Sequence, residues 1–190
     1  KRRTRGSIAR EKGLAPLAEV IFAQDGQDPA GLAAGYIDPE KGVNSVEEAL
    51  QGANDIIAED LSDDADIRKS LRELVMRRGM LTCTAAEDAE TDGVYKLYYD
   101  FSQPISRVLD HQILAMNRGE KEGVLKPNVI LAGNEGAALV CRAALKPTVQ
   151  VSAFVRAAAE DAYERLIFPS IQREVRSDLS DRAYAGAIHN

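Results

Sequence analysis

The clearest hydrophobic rhythm in the first half of the chain runs from Val46 to Ile57. Val46, Ala49, Leu50, Ala53, Ile56 and Ile57 recur in steps of three and four, which puts one apolar stripe on a helix. Ser45 and Glu48 stand in capping-box order ahead of it, so a helix is predicted over 45–60. A second follows at 63–78, with Ile67, Leu71, Leu74 and Val75 as its buried stripe. Ser62 serves as its cap, Asp63 and Asp64 suit its positive end, Arg77 and Arg78 suit its negative end, and Gly79 stops it. The short turn between the two predicts an antiparallel helical pair. The most regular stretch is the last third. From Thr148 to Ser177 the apolar positions are Val151, Phe154, Val155, Ala158, Ala162 and Leu166, and then Tyr163, Ile167, Ile171 and Val175, whose steps of three and four define a helix stripe. Arg156 with Glu160, and Asp161 with Arg165, are opposite charges four apart. Such a helix would extend about 45 Å at 1.5 Å per residue. Pro169 removes a hydrogen bond to Arg165 and predicts a bend.

Elsewhere the pattern is weaker. Thr4 caps a short helix that Gly13 ends, and Pro16 opens the next, with Leu17, Val20 and Ile21 on its apolar face. Residues 25–44 read as loops around a short helix at 29–36. MLTCTA from Met80 and VYKLYYD from Val94 read as short strands or extended segments, separated by the acidic loop 87–93. A helix is predicted at 106–117, a strand at 129–132 and a helix at 134–145. The fold class is mainly α: a multi-helix scaffold with a long central helix bent at its proline and a few short extended segments. Residues 1–147 are read as a helical region, and 148–190 as a connecting helix with the start of a link to a next domain.

Composition permits a core. Of 190 residues, 45% are hydrophobic and 28% charged, both ordinary for a globular protein. No apolar run reaches membrane-spanning length, and no apolar signal core follows the basic start, so no membrane partner is expected. Charge changes the picture more. The net charge of −6 argues against a dedicated nucleic-acid clamp. Yet Lys1, Arg2, Arg3, Arg5, Arg10 and Lys12 face only Glu11 within the first twelve residues. Closely spaced cations neutralise phosphates and release counterions, so these six are candidate contacts for RNA or DNA. Arg118 and Lys121, near Lys126, form a second candidate group; Glu120 and Glu122 dilute it, and a charged turn held by internal ion pairs is its plainer reading.

Catalytic patterns are weak. Cys83, Cys141, His111 and His189 show no paired zinc spacing, and two reduced thiols are expected. Asp110 and His111 are neighbours, which a helix points apart. His111 and Cys83 could act together only if the fold joined them. The carboxylates between Glu47 and Asp66 lack an EF-hand loop and read as a solvated helical face and caps. AGNEGAA, from Ala132, has no phosphate-loop lysine. No catalytic residue, metal or cofactor is therefore expected. The chain has no initiating Met, and the pattern Leu179, Ala183, Ala187 with Tyr184 and Ile188 is still helical at Asn190. It is read as a piece of a longer protein.

Four segments together resemble one family. KRRTRGSIAREKGLAPLAE at 1–19, VEEALQGANDIIAEDLSDDADIRKSLRE at 46–73, DHQILAMNRGEKEGVLK at 110–126 and EDAYERLIFPSIQREVRSDLSDRAYAGAI at 160–188 look like the bacterial Tex family, in order and spacing. The resemblance implies a cytoplasmic transcription accessory factor, related to a eukaryotic transcription elongation factor. It implies a parent chain with a helical N-terminal region, an RNase H-like domain, helix-hairpin-helix elements and a C-terminal OB-fold RNA-binding domain. This chain would cover the later helical region and the long central helix. Implied partners are nucleic acid, RNA polymerase or other transcription machinery, and the remainder of the parent chain. One departure stands at Gln112, where the family usually carries a basic residue after the histidine. The competing reading is a helical protein-binding module that contacts the transcription machinery without touching nucleic acid.

Overall fold

A computed structural model describes residues 2–148 and 150–189, the last by its backbone alone. The fold is mainly α. In chain order the helices are α1 (Arg5–Glu11), α2 (Ala15–Ala23), α3 (Pro29–Ala34), α4 (Val46–Ser62), α5 (Ala65–Arg78), α6 (Asp110–Lys121), α7 (Glu135–Ala144), α8 (Ala153–Asp161) and α9 (Phe168–His189). Three short strands, β1 (Met80–Ala85), β2 (Asp100–Pro104) and β3 (Leu125–Ile130), form an antiparallel sheet in the order β2-β1-β3. The chain folds as two compact units. The first holds 1–68 and 136–168; the second holds 69–135 and 169–190.

In the first unit α4 is the central helix. Its Ser45 cap accepts the Glu48 N–H at 3.1 Å, while the Glu48 carboxylate reaches back one residue further, to the Asn44 N–H at 3.0 Å. Ala49, Gly52 and Ala53 make one face of α4 low enough for α1 to approach closely: a Cβ on Gly52 would fall on the Leu14 side chain and lie 3.3 Å from the Ala9 methyl. Leu14, Leu17, Val43, Ile56 and Val155 are fully buried in this unit. Burying such side chains contributes about 1.5–3 kcal/mol each before entropy is counted.

In the second unit Leu81 and Cys83 of β1 point into the core with Val129 and Leu125 of β3, while Met80, Thr82 and Thr84 face outward. Ile171, Val175, Leu179 and Ala183 of α9 recur at helical spacing and are buried. Gly79 ends α5. Its N–H donates to the Val75 carbonyl at 2.7 Å, and a Cβ there would collide with that oxygen.

Several elements differ from the sequence reading for identifiable reasons. α5 is capped by Asp64, whose Oδ1 accepts the Ile67 N–H at 2.9 Å, because α4 runs on through Ser62. VYKLYYD holds a 3-10 turn at Lys96–Tyr98, and β2 begins only at Asp100. Val94 and Leu97 are 95% and 86% exposed there, so neither has a sheet face to pack against. β3 starts four residues earlier than the apolar run; Pro127 is accommodated because β3 is an edge strand. The helix expected at 106–117 spans 110–121, with Ile105–Arg107 forming a separate 3-10 turn. The long helical stretch begins at Ala153, where Ser152 caps the Val155 N–H at 3.1 Å, and continues to His189. Its interruption ahead of Pro169 is a π-helical segment, Ala162–Ile167, closed by the Phe168 N–H donating to the Tyr163 carbonyl. Wider turns accommodate a residue that lacks an N–H and whose ring would crowd the carbonyl four residues back.

Candidate nucleic-acid interface

The basic start forms α1 and its approach, in the first unit. Thr4 and Ser7 cap each other: the Ser7 N–H donates to Thr4 Oγ1 at 3.0 Å and the Thr4 N–H to Ser7 Oγ at 2.9 Å. The Glu59 carboxylate from α4 occupies the same helix end. It accepts the Gly6 N–H at 2.5 Å and the Thr4 hydroxyl at 2.9 Å. A Cβ on Gly6 would fall on that carboxylate. The positive end of α1, where a phosphate could sit, is thus already filled by an internal anion.

The cations of this segment have separate fates. Arg10 Nη2 lies 2.7 Å from Asp60 Oδ1, and Arg3 pairs with Glu11 at 3.3 Å. The second pair is more than 60% exposed on both sides, so it is worth less than about 1 kcal/mol and competes weakly with a ligand. Arg2 and Arg5 are exposed, and Lys12 is half-buried against Gly42. Lys1 lies outside the described residues. Lys41 reaches the other face of the same turn, beside Gly13, and adds a cation that sequence separation concealed.

Arg118 and Lys121 sit in the last turn of α6, in the second unit, where cations complement the helix dipole. Both are exposed. The acids beside them are engaged elsewhere: Glu120 accepts from Arg176 at 2.8 Å, and Glu122 accepts the Tyr95 hydroxyl at 2.5 Å. The turn is therefore held by tertiary partners, not by pairing within itself. At the other end of α6 the Gln112 side chain accepts the Leu109 N–H at 2.9 Å, so this residue closes the helix start.

One group in the first unit departs from the expected solvated acidic face. Asp55 is only 7% exposed. Gln51 donates to it at 2.9 Å, and Arg165 Nη2 stands 3.9 Å away. Arg165 grips Asp161 with two nitrogens, at 3.2 and 3.0 Å, and Asn54 donates to the same carboxylate at 3.1 Å. Partial burial works to raise the Asp161 carboxyl, but its bonds to Arg165 and Asn54 outweigh that and hold it below the ordinary carboxylate value. The arrangement fixes α4 to the π-helical segment. The i,i+4 spacing of Asp161 and Arg165 signals half of it; the Asp55 half has no sequence signal.

Among the described residues no hydrogen bond joins the Cys83 thiol to the His111 ring. Cys83 is buried in the second unit and His111 is exposed. Burial pushes the Cys83 and Cys141 thiols up, away from the reactive thiolate. Asp110 faces Arg182 at 3.4 Å. Among the described residues no group of three or more His, Cys, Asp or Glu side chains is placed to hold a metal ion, and no helix is long and apolar enough to cross a membrane.

The family described as Tex central region-like matches residues 24–190. The chain is 40% identical to protein YdcI of Bacillus subtilis (strain 168) over 193 residues, covering all of this chain and 27% of that protein. It is 45% identical to Protein tex of Bordetella pertussis over 130 residues, covering 68% of this chain and 16% of that one. It is 27% identical to the human S1 RNA-binding domain-containing protein 1 over 196 residues, 95% of this chain and 19% of that one. The chain thus spans about a quarter or less of the length of these relatives.

Proposed function

Because this chain belongs to the Tex family, we propose that it is a non-catalytic helical scaffold of a transcription accessory protein and touches nucleic acid through its unpaired surface cations. The observation that carries the reading is the exposure of Arg2, Arg5, Arg118 and Lys121, which have no ion-pair partner among the described residues. Lys1, Arg3, Arg10 and Lys12 belong to the same candidate set, with Arg3 and Arg10 reduced in weight by Glu11 and Asp60. A similar protein from Neisseria gonorrhoeae carries the name Transcriptional accessory protein Tex, and the human relative is named for an S1 RNA-binding domain. The work is done in the cytoplasm, beside RNA polymerase, with RNase H-like and OB-fold domains of a parent chain supplying further nucleic-acid contacts. Phosphate contacts without base contacts give weak, salt-sensitive, sequence-independent binding.

A gel-shift titration of the chain against single-stranded RNA and duplex DNA, at two salt concentrations, tests this. Binding at low salt should weaken when Lys1, Arg2, Arg3 and Arg5 become Ala. Absence of binding at low salt removes the nucleic-acid contact and leaves the family assignment untouched. Capture of RNA polymerase by a chain that binds no nucleic acid would favour the protein-binding module instead.

A further inference from the structure

In the second unit a groove of about 440 Å³ runs between β3 and the first turns of α9. Its polar lining is Glu120, Asn128, Gln172, Arg173 and Arg176. The cations of this groove are arranged differently from those of α1. Arg173 is exposed and has no ion-pair partner among the described residues. Arg176 is 23% exposed and held through Nη2, which donates to Asn117 Oδ1 and Glu120 Oε1, each at 2.8 Å. The carboxylate of the lining is therefore neutralised before any ligand arrives. Gln172 Nε2 donates to the Val129 carbonyl at 2.6 Å and to Asn128 Oδ1 at 3.2 Å. With its oxygen occupied, the Asn128 amide has its N–H donors left to offer. Lys126 lies two residues along β3, exposed on the same outward face; Asn128 pairs with Thr82 and Lys126 with Thr84.

Two guanidiniums, an amide donor and a nearby ammonium are the donor set for a phosphate oxygen. No aromatic side chain lines the groove, so it offers no stacking platform for a base. We propose that this groove binds phosphate as it is carried on a nucleic-acid backbone, and that Arg173 and Lys126 are its ligand-seeking cations. The proposal rests on the nucleic-acid reading above and adds a site that charge counting along the sequence does not find. It contains neither the basic start nor Arg118 and Lys121.

Fluorescence anisotropy with a labelled oligouridylate at several salt concentrations tests it on the whole chain. Both side chains are exposed, so K126A/R173A should keep the wild-type urea transition. The double variant should weaken binding roughly tenfold and reduce the salt slope by about 1.4, the loss of two single-strand phosphate contacts. Wild-type binding that K126A/R173A leaves unchanged overturns the groove and spares the nucleic-acid reading. No RNA binding by the wild type overturns both the reading and the backbone as ligand. A parallel titration with inorganic phosphate, followed by 31P line broadening, separates the sources. Broadening that K126A/R173A abolishes, in a chain that ignores RNA, assigns the groove to free phosphate and refutes the backbone proposal.

Discussion

Replacing Arg165 by Met removes the guanidinium while keeping most of the side-chain volume, and its consequences follow from the geometry. Asp161 loses two charge-assisted bonds, at 3.2 and 3.0 Å, and retains only the Asn54 amide. Asp55, 7% exposed, loses the cation 3.9 Å away and keeps Gln51. Hydrogen bonds to charged groups are worth about 1.5–3 kcal/mol each when sheltered. The Asp161 side chain is 34% exposed, so screening reduces this, and a net loss of about 2 kcal/mol at neutral pH is expected. The pH dependence supplies the sharper test. Asp161 titrates below its unfolded value, so its stabilisation is complete above that value, about 3.9, and fades as pH falls through the lower folded one. Urea denaturation of wild type and R165M should therefore show a gap that is widest at neutral pH and narrows in acid. A cycle with D161N should recover most of the gap as coupling between the two residues. A loss below about 0.5 kcal/mol at neutral pH, or a gap that stays constant into acid, would refute this account.

Two further expectations concern packing. Gly6→Ala forces the Glu59 carboxylate off the α1 start, breaking its bonds to the Gly6 N–H and the Thr4 hydroxyl; a loss of about 1–3 kcal/mol is expected in urea melts, despite the better helix propensity of Ala. Cys83 and Cys141 are buried with raised thiol pKa values, so both should react with a thiol reagent far more slowly than a free thiol at pH 8, and at the free rate in denaturant; rapid native reaction of either would contradict the burial.

The Ser45 cap, the stripe from Val46 to Ile57 and the Gly79 stop are legible in the sequence because helices are made by contacts three and four residues apart. The same locality makes the Asp161–Arg165 pair legible. The four family-like segments are likewise properties of the linear chain. Tertiary structure decided the rest. VYKLYYD became a turn because Tyr95 is buried with its hydroxyl on Glu122, 27 residues on, while the Tyr98 ring packs at a tilt against Phe101, centroids 5.6 Å apart. β3 extends back through Pro127 because β1 pairs with it from Met80 to Ala85. Asp55 is buried because Arg165, 110 positions away in sequence, meets it there. Which cations remain free was decided in the same way: Glu59 and Asp60 turn towards α1, and Arg176 takes Glu120 from its neighbours in α6. A charge count along the chain sees how many cations there are. Their availability depends on non-local neighbours, since a charge is neutralised by whatever the fold sets within a few ångströms of it.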